Sequence, residues 1–308
     1  MKMRYPTFSD EQILSARPPK HQVTPQRPYA FLNDTEYRAA GQTAQISTIF
    51  LTNRECPFRC LMCDLWKNTL DESLESGQII EQIRYALKNL PTASQIKLYN
   101  SGNFFDAKAI PPEDLPGIAR LVKNYDRVIV ENHPLLCNQS CLDFQQQIRG
   151  QLEIALGLET IHPEILKRLN KRMTLGDFTR ANEFLLKHQI QTRAFILLKP
   201  PFMAEQEGID WAIRSVEYAF SQGVTCCSLI PTRAGNGMLE LLEQSGQYSL
   251  PAFTSIETTL KSCLQLNQGR VFMDLWNLDQ LYQSEPDLQQ RLMRLEQMNL
   301  TQTIDSDA

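Results

Sequence analysis

The sequence predicts an α/β fold: an open partial TIM barrel of the (β/α)6 kind, with an irregular segment before it and an extension after it. Two observations carry this reading. Six apolar runs of strand length recur between Gln45 and Ile230. Most are continuous rather than alternating, as parallel strands covered on both faces require. Between them the apolar residues repeat every three to four positions, the period of a helix buried along one side. Strand then helix, repeated, implies parallel strands joined by right-handed crossovers, and six units are too few to close an eight-fold barrel.

The elements follow in order. Residues 1–43 are polar and proline-punctuated ("ARPPKHQVTPQRPYAF") and read as irregular. The first strand is "QISTIFL" from Gln45, followed by a helix with Ile79, Ile83, Leu87 and Leu90 on one face. The second is "QIKLYN" from Gln95, followed by a stripe of Leu115, Ile118, Val122 and Tyr125. The third is "RVIVEN" from Arg127 and the fourth "LEIALGL" from Leu152. Thr174 and Asp177 then open, in a capping-box-like arrangement, a helix carrying Phe178, Ala181, Leu185 and His188. The fifth strand, "TRAFILL" from Thr192, leads to a helix with Ile209, Ala212, Val216 and Ala219, and the sixth is "VTCCSLI" from Val224. The barrel therefore spans 44–248. Residues 249–308 form an extension packed on it: a helix around Ile256, Leu260 and Cys263, a strand "RVFMDLW" from Arg270 that covers one barrel edge, a helix with Leu288, Leu292 and Leu295, and a loose tail "TQTIDSDA".

Of the 308 residues, 42% are hydrophobic and 21% charged, and the formal charge is −4. Such a balance gives no global attraction to polyanions, so charge alone does not hold nucleic acid. No apolar run reaches the roughly 18 residues that span a membrane, and no secretory leader is apparent, so the expected location is cytoplasmic. Eight cysteines in this setting read as reduced thiols and metal ligands rather than a disulfide frame.

The chemistry concentrates in "NRECPFRCLMCDLW", where Cys56, Cys60 and Cys63 fall within eight residues as C-x3-C-x2-C. They lie just past the C-terminal end of the first strand, the side on which parallel α/β folds build their sites. A zinc knuckle wants a fourth Cys or His at comparable spacing, and the next candidates are as distant as His133 and Cys137. A [4Fe–4S] cluster held by three cysteines instead leaves one iron open, the mark of a catalytic site. This spacing in a βα-repeat chain resembles the radical S-adenosylmethionine (radical SAM) superfamily. The resemblance implies that the open iron chelates the amino and carboxylate groups of S-adenosylmethionine. It further implies reductive cleavage of the sulfonium, giving a 5′-deoxyadenosyl radical that abstracts hydrogen from a substrate. It assigns Met62 to the place of the aromatic that usually precedes the third cysteine, near the adenine. It assigns the turn Asn100, Ser101, Gly102 and Asn103 to the methionine amino group.

Other strand ends supply further candidates at the same mouth: Glu131 after the third strand, Glu159 in "GLET" after the fourth, Lys199 after the fifth and Thr232 after the sixth. A carboxylate there can bond a ribose or orient the sulfonium, or be a salt-bridged strand-end acid; Lys199 can take a carboxylate or snorkel at the rim. "GLETIHPEILKRLNKRMT", "LLKPPF" and "SLIPT" are more narrowly similar to the radical SAM subunit of archaeosine synthase and its relatives, near the elongator catalytic-subunit group, without the acetyltransferase domain. That similarity implies a modified nucleobase in tRNA as substrate and a lyase-type reaction, with an external electron donor and a partner subunit. A radical SAM enzyme acting on a small metabolite, and a non-enzymatic iron–sulfur or zinc protein, remain open alternatives. Lys167, Arg168, Lys171 and Arg172 form a basic cluster that reads as a solvated helix face or a phosphate contact. Cys137 and Cys141, spaced i and i+4, and Cys226 and Cys227 read as small buried residues or ligands of an accessory metal.

Overall fold

The computed structural model describes residues 6–39 and 41–304. Eight strands form one sheet in chain order: β1 (Ala30–Ala39), β2 (Gln42–Phe50), β3 (Gln95–Tyr99), β4 (Arg127–Asn132), β5 (Gln151–Glu159), β6 (Gln191–Leu198), β7 (Cys226–Pro231) and β8 (Arg270–Met273). β2 to β8 are parallel, and β1 pairs antiparallel with β2. The six expected strands are β2 to β7, and one strand is added at each edge. The segment read as irregular holds regular structure: helix α1 (Asp10–Ser15) and the whole of β1. β1 escapes a sequence reading because it is an edge strand with a single buried residue, Glu36. Its polar composition hides a ladder that β2 stabilises through a hairpin turning at Gly41, whose φ of +76° suits glycine.

The helices follow the strands. α2 (Gln78–Asn89) follows β2, α3 (Leu115–Leu121) follows β3, α4 (Gln139–Gln147) follows β4, and α5 (Pro163–Arg168) and α6 (Leu175–Lys187) follow β5. α7 (Glu205–Ser221) follows β6, α8 (Met238–Gln244) and α9 (Phe253–Gln265) follow β7, and α10 (Leu278–Leu281) and α11 (Leu288–Thr301) follow β8. The Thr174–Asp177 capping box forms at the start of α6. Alternate strand residues (Ile96, Leu98, Val128, Val130, Ile154, Leu156, Ile196, Leu198) share one buried cluster with Ile79 and Ile83 of α2, Phe178 of α6 and Val216 of α7. Each side chain so buried contributes roughly 1.5–3 kcal/mol.

The remaining alternate residues face inward, and ion pairs prove the curvature. Glu36 of β1 accepts from Lys97 of β3 and from Arg193 of β6, the latter at 2.9 Å. Glu153 of β5 accepts from Arg193 at 2.8 Å, Arg127 of β4 at 2.7 Å and Arg270 of β8 at 2.8 Å. Strands five places apart in a sheet meet this way only across the inside of a curled one. One step further along the strands, an aromatic layer crosses the same interior, with Tyr99 set 6.2 Å from both Phe195 and Phe50. Charges therefore form a floor at the strand starts, and the opposite end is the mouth.

The strand expected from Arg270 forms as β8 at the barrel edge. Its outer ladder is completed by side chains of α11 and of the residue after it. Asn299 accepts from Met273 N and donates to Met273 O, both at 2.8 Å, and Gln302 does the same for Val271 at 2.7 Å. Two amides thus imitate a ninth strand and close an edge that would otherwise invite pairing. α11 also packs on β1, so it bridges the gap between the two sheet edges. Of the tail read as loose, Thr301 and Gln302 belong to this arrangement, and residues 305–308 lie outside the described residues.

Candidate metal and cofactor site

The loop after β2 carries Cys56, Cys60 and Cys63 as free thiols, Cys60 buried and the others half-buried. Four parts of the chain hold it. Asn53 O accepts from Leu70 N at 2.8 Å, and Glu55 N donates back to Leu70 O at 2.9 Å. Beyond α5, Leu169 O accepts from Leu61 N at 2.8 Å, and Asn170 Nδ2 donates to Arg59 O at 2.7 Å. From the loop after β7, Asn236 Nδ2 donates to Leu61 O at 2.7 Å and to Cys63 O at 3.3 Å. From the N-terminal side, Ile13 packs with Leu61, Ile165, Leu169 and Met238, while Arg17 pairs with Glu55 at 2.7 Å and lies 4.4 Å above the Trp66 ring. Burial pushes all three thiols up: Cys56 above its ordinary value, Cys60 to about 12 and Cys63 well above its ordinary value, with Cys60 and Cys56 each adding to the field at Cys63. A metal centre would reverse this, since a coordinating thiol is deprotonated outright.

The turn after β3 presses against the same loop. A Cβ added to Gly102 would already touch Cys56 Cβ at 3.4 Å. Asn103 links two elements: its Nδ2 donates to Cys56 Sγ at 3.1 Å and its Oδ1 accepts from His133 N at 2.7 Å. Glu131 does not reach outward but pins the turn, its Oε1 accepting from Asn100 N at 2.7 Å and Gly102 N at 3.3 Å. Burial raises the Glu131 carboxyl to about 7 against the pull of these amides. Ser101 takes φ +51° and bonds the Tyr29 hydroxyl at 2.9 Å. Asn100 differs from its neighbours: its side chain is fully buried, and neither Nδ2 nor Oδ1 has a partner. An unpaired buried amide group costs about 1–3 kcal/mol, so this position suits a ligand that both donates and accepts.

Glu159 ends β5 at a bulge, with φ +64°. Its Oε1 accepts from Lys171 Nζ at 2.7 Å, and both side chains are buried. The pair crosses Gly157, where an added Cβ would lie 2.3 Å from Glu159 Oε1 and 2.4 Å from Lys171 Nζ. Burial would lower the Lys171 pKa, but Glu159, Cys60 and Cys56 outweigh it and raise it, placing a fixed positive charge beside the thiols. His133 stacks on Phe58 of the cysteine loop at 3.8 Å between centroids. Its Nδ1 accepts from Leu135 N at 3.1 Å and its Nε2 meets Lys171 O at 3.0 Å, which fixes a neutral ring with the proton on Nε2. Burial and the Lys171 charge hold its pKa down to about 3.

Other expected positions lie elsewhere. The Lys199 ammonium is committed to Glu205, to Ser249 Oγ at 2.8 Å and to Leu250 O at 3.2 Å, so it anchors the extension. The Thr232 hydroxyl donates to Leu198 O at 3.0 Å, inside the wall. Met62 packs with the small cluster around Leu61. The basic cluster divides: Arg172 pairs with Asp10, Arg168 donates to Pro6 O at 3.0 Å, Lys167 is exposed, and Lys171 turns inward. Lys171, Asn236 and the segment around Ile13 and Arg17 are the parts of this neighbourhood that sequence reasoning missed. The signal for Lys171 was a polar Asn-Lys-Arg run directly after a short helix, with Asn170 and Arg172 both at positive φ. Cys227 joins the outer core and Cys226 sits beside Arg193 inside, as strand alternation demands. Among the described residues, no three Cys, His, Asp or Glu side chains gather around one point that could hold a single metal ion.

No protein-family model matches the chain. It is 28% identical over 243 residues to an uncharacterized protein of Methanocaldococcus jannaschii, covering 73% of this chain and 66% of that one. It is 27% identical over 216 residues to archaeosine synthase subunit beta of Methanosarcina acetivorans, covering 66% of this chain and 61% of that one. In fold it is similar to a radical SAM methyltransferase from Sphaerobacter thermophilus, with a TM-score of 0.50 and 14% identity over 82% of this chain and 77% of the other. In fold, the chain is therefore similar to a radical SAM protein. It spans about half to two thirds of the length of the curated relatives it matches, from 51% to 66%. The donor set fits an iron–sulfur cluster. Three soft thiols beside a buried cation suit an anionic cluster of this kind. No helix among the described residues is long and apolar enough to cross a membrane.

Proposed function

We propose that this protein is a radical SAM enzyme, with Cys56, Cys60 and Cys63 holding a [4Fe–4S] cluster at the barrel mouth and S-adenosylmethionine bound beside it. The observation that carries the reading is the meeting at one loop of three free thiols, the buried Lys171 and the turn after β3, through Gly102 and Asn103. When bound, the cluster would supply the electron that cleaves the cofactor's sulfonium. The chain's own residues do the positioning. Asn103 donates to Cys56, Lys171 offsets negative charge at Cys56 and Cys60, and Glu131 holds the backbone of Asn100 to Gly102 ready for a ligand. The N-terminal segment and Asn236 keep the loop covered, which limits water at a site where radicals are quenched. Anaerobic reconstitution, reduction and addition of S-adenosylmethionine should yield 5′-deoxyadenosine and perturb the cluster's electron paramagnetic resonance, with both lost in Cys60→Ala. A zinc-loaded protein that cleaves nothing overturns the reading.

We assign the substrate to a modified nucleobase in tRNA, handled together with a partner subunit. The support is the sequence similarity to two proteins named archaeosine synthase subunit beta. Binding of unmodified tRNA should weaken steeply with salt. Indifference to tRNA, with turnover of a free small molecule, points instead to a metabolite-level radical SAM enzyme.

A further inference from the structure

Nothing in the proposed chemistry uses the barrel interior above its ionic floor. Phe50 of β2, Tyr99 of β3 and Phe195 of β6 point into it, each half-buried, while their outward neighbours Ile49, Leu98 and Ile196 are fully buried. Helices cover the outer face, so the exposed part of an inward ring faces space inside the sheet. The floor closes that space from below, since Lys97, Glu153 and Arg193 are buried there, and it opens at the mouth. Room beside Phe195 is written into the register. Its cross-strand partners are Gly157 on β5 and Ser228 on β7, one without a side chain and one with a small one. Tyr29, just before β1, adds a fourth ring 5.5 Å from Phe50. Two sides of this basin touch the cysteine loop. Tyr29 Oη bonds Ser101 Oγ at 2.9 Å, one residue from the glycine that meets Cys56. Lys171, bonded to Glu159 over Gly157, faces Cys60 and Cys56.

We infer that this basin takes a planar heterocyclic ring, the nucleobase of the substrate, with Phe195 as the face on which the base stacks. The inference rests on the nucleobase reading above and assigns the residues that select for it. Stacking needs an exposed aromatic face. Phe195 has one because its register partners leave room, and because Tyr99 meets it at 80° with centroids 6.2 Å apart, edge to face rather than stacked. The edge of a base also needs hydrogen-bond partners. The Tyr29–Ser101 pair supplies two hydroxyls at the rim, and among the described residues none bonds the Tyr99 hydroxyl. An anionic metabolite gains little here, since the floor cations Lys97, Arg127 and Arg193 are already paired with Glu36 and Glu153. The basin lies behind the mouth, out of reach of a base paired within a helix. The target nucleotide must therefore be unpaired or turned out of its stack.

The test titrates guanosine into the full chain, prepared without oxygen, and follows binding by saturation-transfer NMR. Dihydrouridine, whose saturated ring has no aromatic face, is the control on the same sugar. Guanosine base protons should receive saturation, and dihydrouridine should receive none. Phe195→Leu, which keeps apolar volume but removes the ring, should weaken guanosine binding roughly tenfold. Phe195→Tyr, which keeps the ring, should bind as the wild type does. Ser228→Leu fills the room beside the ring with Phe195 left in place, and should weaken binding comparably. Thermal unfolding matched to wild type in these variants ensures that the comparison reads the basin rather than the fold. Undiminished binding in both Phe195→Leu and Ser228→Leu, equal binding of dihydrouridine, or no binding of guanosine overturns the proposal. So does displacement of guanosine by S-adenosylhomocysteine, which would give the basin to the cofactor's adenine. A chain that forms 5′-deoxyadenosine yet fails this test keeps its radical chemistry and loses only this substrate site.

Discussion

Lys171 shows how one side chain can hold a site together. It is 8% exposed, bonds Glu159 across Gly157, and faces Cys60 and Cys56. Removing one partner of a buried pair strands the other charge, a loss of about 3–5 kcal/mol. Lys171→Met should therefore lower stability by about that much in urea titration, while Glu159→Gln combined with Lys171→Met should recover part of it. A double variant no more stable than Lys171→Met alone would mean that Glu159 has another partner. Gly157→Ala tests the same pair without changing a charge: its Cβ would occupy the place of both head groups, so it should resemble Lys171→Met despite adding one methyl.

The N-terminal segment behaves as a strap, an element whose role is to press the cysteine loop onto the barrel. Its closest approach is at Gly237, the residue before α8, where φ is +89° and an added Cβ would lie 1.8 Å from Ala16 O. Gly246, at φ +70°, offers the contrast: a Cβ added there would meet nothing within 4 Å, so it isolates the backbone effect. Gly246→Ala should lower stability by about 1–2 kcal/mol, the cost of the left-handed conformation. Gly237→Ala should cost more and release residues 6–28 to limited proteolysis; equal effects of the two would show that the strap does not rest on Gly237. Elements such as β2 to β7 were legible because their outward residues alternate with inward ones that are also largely apolar near the mouth, and because α6 announces itself with a capping box. β1 and the strap were not legible, because their stabilising partners lie far away in sequence: Glu36 meets Arg193, Arg168 meets Pro6, and Asp10 meets Arg172. The cysteine spacing was legible as local chemistry. The commitment of Lys199 to Ser249 and Leu250 was not, since nothing in a strand-end lysine says which way it turns.

At the scale of the whole molecule, the barrel floor decides how the protein responds to acid. Lys97, Arg127, Glu153 and Arg193 each fall within the first three residues of four successive strands. That period marks an inward ionic layer rather than scattered surface charge. Burial alone would push the Glu153 carboxyl up, but Arg193, Arg270 and Arg127 outweigh it and hold its pKa at about 2. Glu36 is held lower still by Arg193 and Lys97. Carboxyls whose pKa falls on folding bind fewer protons in the native state, so their contribution is complete above the unfolded value near about 4.3 and is lost as pH falls toward 2. His133 acts earlier. Its pKa drops from 6.5 to about 3 on folding, so the unfolded chain takes up that proton first and stability declines between those values. Urea midpoints measured from neutral pH down to the acid limit should therefore fall in two stages, and His133→Gln should flatten the upper one. Arg193→Met, which removes the partner shared by the two carboxylates, should cost about 3–5 kcal/mol at neutral pH. It should also leave a shallower decline below about pH 4.3, because Glu153 and Glu36 then titrate nearer their unfolded values. An unchanged slope in that variant would mean that Arg127, Arg270 and Lys97 hold the carboxylates without it, and that the floor is two separate clusters rather than one network closing the barrel.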